Sequence, residues 1–239
     1  MSNRFIDNFD VILLDKGNTF MFDVDRFGED EDYHATYRDL GGRFLSPEEV
    51  RAPITEVLDR MLSAARNPAR VDDFGDVRRF LQESGAASQL SPLELDFIVN
   101  VFSRHELGTI PQGHADTLRR LRSSHPLGLV SNVWSPSPIF ESALEKAGIR
   151  DLFTVRVWSS DHLSIKPSAR LFEIALDAFA IPPARVVFVG DNPKRDIAGA
   201  KAIGMAAVWI ENKTRPLTPD IPAPDYIVSD LTQLTENSD

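Results

Sequence analysis

The sequence predicts an α/β fold: a parallel-sheet core interrupted after its first strand by an all-helical insertion. Three observations carry that expectation. From Pro111 onwards short apolar runs alternate with helical patterns. Three such runs along the chain end in a polar side chain, at Asp15, Ser131 and Asp191. Between Phe20 and Glu106, strand-like alternation is nearly absent. Strands and helices alternating at this spacing imply right-handed crossovers, hence parallel strands whose C-terminal ends share one edge. Three groups distant in sequence then converge on one crevice.

The first strand lies in Phe9-Asp10-Val11-Ile12-Leu13-Leu14-Asp15, followed by Lys16-Gly17-Asn18-Thr19. A buried strand that delivers a carboxylate to its C-terminal edge is where an open α/β sheet keeps its chemistry. The next stretch opens on acidic residues, Asp23, Asp25 and the run 29–32, and then turns helical. Ser46-Pro47-Glu48-Glu49 reads as N-cap, proline at the first helical position and acidic first turn. Val50, Ile54, Val57, Leu58, Met61 and Leu62 follow at helical spacing. Ser91-Pro92-Leu93-Glu94 repeats that signature ahead of Leu95, Ile98, Val99 and Phe102, with a shorter amphipathic piece at Val77 to Leu81 between them. Residues 20–107 are therefore expected to form an insertion of about four helices.

Beyond it, a helix is predicted around Ala115 to Arg122 and a strand at Leu127 to Val130, ending at Ser131-Asn132. A helix near Pro138 to Ala147 closes at Gly148, and Phe153 to Trp158 reads as a strand. Pro167 opens a helix through Phe179, and the strand from Arg185 to Val189 ends at Gly190-Asp191. A helix from Ile197 to Ile203 stops at Gly204, and Ala206 to Ile210 and Tyr226 to Val228 are short strands. Thr214 to Pro224 holds four prolines and is expected to be an extended surface loop. Trp134, Trp158 and Trp209 are expected in or beside the core.

Length and composition bound what the chain can do. Its 239 residues, 42% hydrophobic, suffice for one large domain or one domain with a sizeable insertion. Having no cysteine excludes disulfides and thiolate chemistry, and a reducing cytoplasm is the expected compartment. Met1 to Phe5 lacks the apolar core of a signal peptide, and no window approaches the roughly 18 apolar residues of a membrane span. A net charge of −10 repels nucleic acid and anionic lipid, so neither is expected as a partner. A small anionic substrate remains compatible, provided its site carries local positive charge. A monomer or homodimer is expected.

With these residues lined up, the chain resembles the haloacid dehalogenase-like (HAD) hydrolase superfamily, in the subgroup with a helical cap inserted after the first motif. Motif one is matched by Asp15 and Thr19, motif two by Ser131, motif three by Lys166 in Ile165-Lys166-Pro167, and motif four by Gly190-Asp191 through Asp196. Pro111-Gln112-Gly113, Leu152-Phe153 and Asp196-Ile197-Ala198-Gly199-Ala200 are also similar to the family. The resemblance implies a Rossmann-like core over residues 1–19 and 108–239, a cap over 20–107, and hydrolysis between them with cap closure excluding water. It implies Asp15 as the nucleophile that forms a covalent aspartyl intermediate. Thr19 would orient that carboxylate or donate to the phosphoryl group, and Ser131 would hold a phosphoryl oxygen. Asn132 and Asn18 would lie on the substrate side, and Lys166 would neutralise Asp15 and the transferring group. Mg²⁺ would be held by Asp15, the backbone carbonyl of Gly17 and Asp191, with Asp196 holding a metal-bound water or Lys166.

The departure falls two residues after Asp15. The phosphatases of the superfamily carry a second aspartate there as general acid and base; this chain has Gly17. Asn18 can take the left-handed turn, so the loop survives, but the proton-transfer group, worth about 10² to 10⁴ in rate, does not. The leading expectation is a Mg²⁺-dependent phosphatase of a small phosphorylated metabolite with an impaired acid, or one relocated to Asp23, Asp25 or His34. The alternatives are a non-catalytic homologue that binds a phospho-ligand or partner, and a 2-haloacid dehalogenase, whose halide leaving group needs no acid. A phosphonatase would need a cap lysine, and residues 20–107 contain none. Lys16 is expected to face away from the site, since successive residues point to opposite sides at a strand end.

Overall fold

In a computed structural model, which describes residues 4–236, six parallel strands form one sheet in the order β3-β2-β1-β4-β5-β6. The strands are β1 (Val11–Leu14), β2 (Leu127–Ser131), β3 (Phe153–Trp158), β4 (Val186–Gly190), β5 (Ala206–Ile210) and β6 (Tyr226–Val228). This is the Rossmann-like α/β fold expected from the sequence. β1 sits between β2 and β4, with Leu14 level with Leu129 on one side and Val189 on the other. The C-terminal ends of β1, β2 and β4 therefore lie side by side. The terminal residues 1–3 and 237–239 of the expected core lie outside the described residues.

All four residues of β1 are buried, because helices cover both faces of the sheet. Alternation sorts them. Ile12 and Leu14 join Leu129, Val187 and Val189 under α5 (Gln112–Ser124) and α6 (Pro138–Lys146). Val11 and Leu13 join Val130 and Phe188 under the helices that follow α7 (Ser159–His162), namely α8 (Ala169–Phe179) and α9 (Ala198–Ala202). Trp158 and Trp209 are buried in this core, whereas Trp134 packs against the helical insertion.

The insertion contains α1 (Tyr33–Asp39), α2 (Pro47–Ala65), α3 (Val77–Gln82) and α4 (Pro92–Glu106). The α2 and α4 starts are capping boxes: Ser46 accepts from the Glu49 N–H, and Ser91 from the Glu94 N–H. Tyr37, Ile54, Val57, Leu81, Ile98 and Phe102 form a hydrophobic cluster separate from those of the sheet. The strands of chain entering and leaving the insertion are tied together, with Phe22 and Thr109 exchanging backbone hydrogen bonds of 2.8 and 2.7 Å.

Two helix starts differ from expectation. The helix predicted to open at Pro167 begins at Ala169, because the Ser168 side chain caps it by accepting from the Arg170 N–H. The helix predicted from Ile197 is preceded by a wide π-helical turn, Pro193–Ile197, capped by Asn192. Pro193 marks the start of that turn. No helix among the described residues is long and apolar enough to cross a membrane. Gly128 in β2 is a close-packing position, where an added Cβ would lie 2.5 Å from Leu13 Cδ2 and 2.9 Å from Phe179. Gly128→Ala is expected to cost about 1–3 kcal/mol of stability in urea unfolding, the usual cost of overpacking; no loss would contradict this packing of β1 against β2.

Candidate active site

Asp15 follows β1 directly, and its N–H donates to the Val189 carbonyl at 2.9 Å, which fixes the residue at the sheet edge. Its Oδ1 accepts from Ser131 Oγ at 2.8 Å and from Lys166 Nζ at 2.7 Å. Burial opposes ionisation of Asp15, but the Lys166 ammonium and the two hydrogen bonds outweigh it and hold the carboxyl below its ordinary pKa. Lys166 is itself buried; its Nζ also donates to the Val130 carbonyl at 2.9 Å and pairs with Asp196 Oδ1 at 2.7 Å. Desolvation would discharge such a lysine, and the two carboxylates overcome it and raise its pKa.

Asp15, Asp191 and Asp196 each offer a carboxylate oxygen, and the three atoms lie within 4.8 Å of one another. Asp191 Oδ2 accepts from Asn212 Nδ2 at 2.8 Å and Arg215 Nη1 at 2.7 Å, while its buried Oδ1 has no hydrogen-bond partner among the described residues. An unpartnered buried carboxylate oxygen beside two others is a donor set that fits a hard divalent cation. Asp196 approaches so closely that a Cβ on Gly190 would sit 2.4 Å from its Oδ2. That oxygen accepts from the Asn192 N–H at 2.9 Å. Burial pushes the Asp196 carboxyl up to about 6; Lys166 opposes this, and the charges of Asp15 and Asp191 add to it. Burial, then the charge of Asp15, likewise raise Asp191.

These groups border a cavity of about 50 Å³, lined also by Gly17, Asn18, Asn132 and Arg195. Asn18 has φ of +51°, the left-handed turn expected of it. Asn132 is engaged with Lys166: its Oδ1 accepts from the Lys166 N–H at 2.8 Å and its Nδ2 donates to the Lys166 carbonyl at 3.3 Å. Thr19 is buried behind the loop, and its Oγ1 has no hydrogen-bond partner among the described residues, Asp15 included.

Three further groups enter the same cavity. Lys16 is buried rather than turned to solvent, its Nζ 4.5 Å from the Phe140 ring centroid, and its charge acts on Asp15. The expectation that it faces away is therefore corrected: the ammonium sits over the Phe140 ring and lines the site cavity. Glu106, the last residue of α4, accepts from the N–H groups of Trp134 and Ser135, both at 2.7 Å. Asp25 lines the cavity, whereas Asp23 contacts Thr109 and His34 contacts the Leu45 carbonyl. Asp25 keeps a solvent-accessible surface, yet the protein packed around its carboxyl raises its pKa; Lys16, Arg215 and Arg195 oppose the rise. Burial, then the charge of Asp25, raise Glu106 in the same way.

The haloacid dehalogenase-like hydrolase family matches residues 76–210, more than half of the 239 residues. The chain belongs to that family. A phosphoserine phosphatase of Thermus thermophilus is 31% identical over 173 residues, 72% of this chain and 66% of that protein. An (S)-2-haloacid dehalogenase of Pseudomonas sp. strain YL is 32% identical over 124 residues, 51% of each chain. This chain thus spans between about half and two thirds of the length of these curated relatives. The crystal structure of a HAD phosphatase from Thermococcus onnurineus superposes with a TM-score of 0.61 at 25% identity, covering 94% of this chain and 95% of that one.

In this HAD-like hydrolase the raised pKa of Asp196 has a consequence for stability. Its folded value of about 6 lies above the ordinary 3.8, so the folded state holds its proton more tightly than the unfolded chain. The contribution of Asp196 is neutral below about 3.8 and becomes destabilising as pH rises through that window to about 6. In metal-free protein, the stability of the unsubstituted chain relative to Asp196→Asn is expected to fall over this interval in urea titrations and to stay level above it. A difference that rises with pH would contradict the electrostatics described here.

Proposed function

We propose that this HAD-like hydrolase is a Mg²⁺-dependent phosphatase of a small phosphorylated metabolite, acting through an aspartyl-phosphate on Asp15 with its general acid relocated to Asp25. The observation that carries the reading is the trio Asp15, Asp191 and Asp196 around one point, with an unpartnered oxygen on Asp191. Asp15, Asp191 and the Gly17 carbonyl would hold Mg²⁺, with Asp196 completing the set through a water. The ion would offset the charge of the phosphoryl oxygens. The helical insertion, residues 20–107, serves as the cap over a core of residues 1–19 and 108–239.

Ser131 and Lys166 hold Asp15 Oδ1, which orients the carboxylate and leaves Oδ2 for attack on phosphorus. The phosphorus–oxygen bond to the leaving group breaks as the bond to Asp15 forms, and the leaving oxygen takes the Asp25 proton. Water then attacks the aspartyl-phosphate, gives its proton to Asp25, and releases phosphate and free Asp15. Two observations support Asp25 in this role. A Cβ at Gly17 would touch Val24 Cγ2 at 3.8 Å, so the linker bearing Asp25 passes over the place where the family's second aspartate would stand. Burial, and then the charge of Asp15, favour the protonated form of Asp25.

Phosphate release from p-nitrophenyl phosphate and acetyl phosphate is expected to require Mg²⁺, with no halide released from 2-chloropropionate. Halide release without metal would make the protein a dehalogenase instead, and no turnover of any of them would favour a binding protein. Asp25→Asn is expected to slow phosphoryl transfer to Asp15 from alkyl phosphates by about 10² to 10⁴, the range of a lost general acid, and to spare that transfer from acetyl phosphate, whose leaving group needs no proton. Gly17→Asp has room for its side chain and should restore part of that loss. Equal losses of that transfer step on both substrates would remove Asp25 as the proton donor to the leaving group.

A further inference from the structure

The cavity at Asp15 is about 50 Å³, less than a tenth of the volume of the cleft beside it, so a substrate whose phosphoryl group fills it extends beyond it. The rest of any substrate must lie outside it. Lys166, Asn192 and Arg195 line this cavity and also a larger cleft of about 580 Å³ beside it. That cleft is walled by Arg66, just past the end of α2, and by Lys194 and Arg195 in the π-helical turn after β4. No carboxylate lines it among the described residues, in a chain of net charge −10.

Its cations other than Lys166 are also free of ion pairs. Among the described residues, Arg66, Lys194 and Arg195 make no salt bridge, although Arg78, Arg79, Arg150, Arg156 and Arg185 all do. The acidic residues nearest in sequence are engaged elsewhere. Asp72 accepts from Ser164 and Ser168, and Asp73 pairs with Arg79 at 2.9 Å. Three cations that line one cleft with no carboxylate among its lining repel, and an anion placed between them relieves that repulsion. They come from both the insertion and the core, so an anion there touches both.

We infer that this cleft binds a second anionic group of the substrate, a carboxylate or a further phosphate carried on the leaving group. The inference rests on the phosphatase reading for the first group, which fills the Asp15 cavity, and assigns a chemical class to the remainder. Phosphomonoesters with uncharged leaving groups are then poor ligands. Those with an anion a few bonds from the phosphoester oxygen are the ones the cleft selects.

Calorimetric titration separates the possibilities without relying on turnover. Asp15→Asn protein with Mg²⁺ is titrated with glycerol 2-phosphate, 2-phosphoglycerate and glycerol 1,2-bisphosphate, which carry a neutral, carboxylate and phosphate substituent on similar skeletons. One or both of the ligands with a second anionic group should bind at least about tenfold more tightly than glycerol 2-phosphate, the effect of a charge-assisted contact. The stronger of the two identifies the second anion. Adding Arg66→Gln and Lys194→Gln, both exposed positions, should abolish the preference. Equal affinities for all three, no binding of any, or a preference that survives the double substitution would overturn the inference. Phosphate release by the unsubstituted protein is measured separately. Its absence with every ester and with acetyl phosphate would contradict the phosphatase reading, while the binding preference stands or falls by itself.

Discussion

One buried ammonium governs the arrangement of the site. Lys166 Nζ lies 2.7 Å from both Asp15 and Asp196 and donates to the carbonyl of Val130, the residue before Ser131. Isolated, each of these charges would be costly to bury; together they hold Asp15 ionised and Lys166 protonated. The sheet order makes the cluster possible. Because β1 lies between β2 and β4, Asp15, Ser131 and Asp191 reach the same edge from three separate crossovers. The missing side chain at Gly190 then lets the Asp196 carboxylate pack against the strand end. The lysine does not complete the balance. Asp15, Asp191 and Asp196 face Lys166 and the half-exposed Arg215, and one Asp191 oxygen keeps no partner. A divalent cation would answer that deficit in charge and coordination at once.

The helical insertion supplies a second layer of charge. Glu106 ends α4 and binds the backbone at Trp134 and Ser135, so the last helix of the insertion is anchored to the loop that follows β2. Its carboxylate and Asp25 press on each other, and Lys16 from the loop after β1 moderates both. In the proposed function the proton-transfer group lies in the linker overhead, at Asp25, instead of two residues after Asp15. The glycine at 17 removes a carboxylate from beside Asp15 in a site already crowded with them.

The strands and capped helices were legible because local rules decide them. Val11 to Leu14 and Val186 to Val189 are apolar on both faces, as buried parallel strands require. Ser46 and Ser91 announce α2 and α4 through capping boxes. Asn18 takes the left-handed conformation its side chain tolerates. Asp15, Ser131, Lys166, Asp191 and Asp196 were legible from strand ends and motif order together. Tertiary packing hid the remainder. Lys16 points inward because Phe140, on another helix, receives it. Nothing local distinguishes Asp25 from Asp23; the path of the linker does. Glu106 reads as an ordinary helix-end carboxylate until the amides of 134 and 135 are seen facing it. Asn132 matched the substrate side in sequence, but its amide braces the Lys166 backbone.

The account turns on Asp15 as the atom-transferring group, and mass spectrometry of acid-quenched protein addresses it directly. Mixed with acetyl phosphate and Mg²⁺ and quenched before turnover completes, the protein should carry one phosphoryl group on the peptide containing Asp15, removable by hydroxylamine. The adduct should accumulate further in Asp25→Asn, where water attack is slowed. Phosphate release without any adduct on that peptide, or a phosphoryl group on a different residue, would contradict the account.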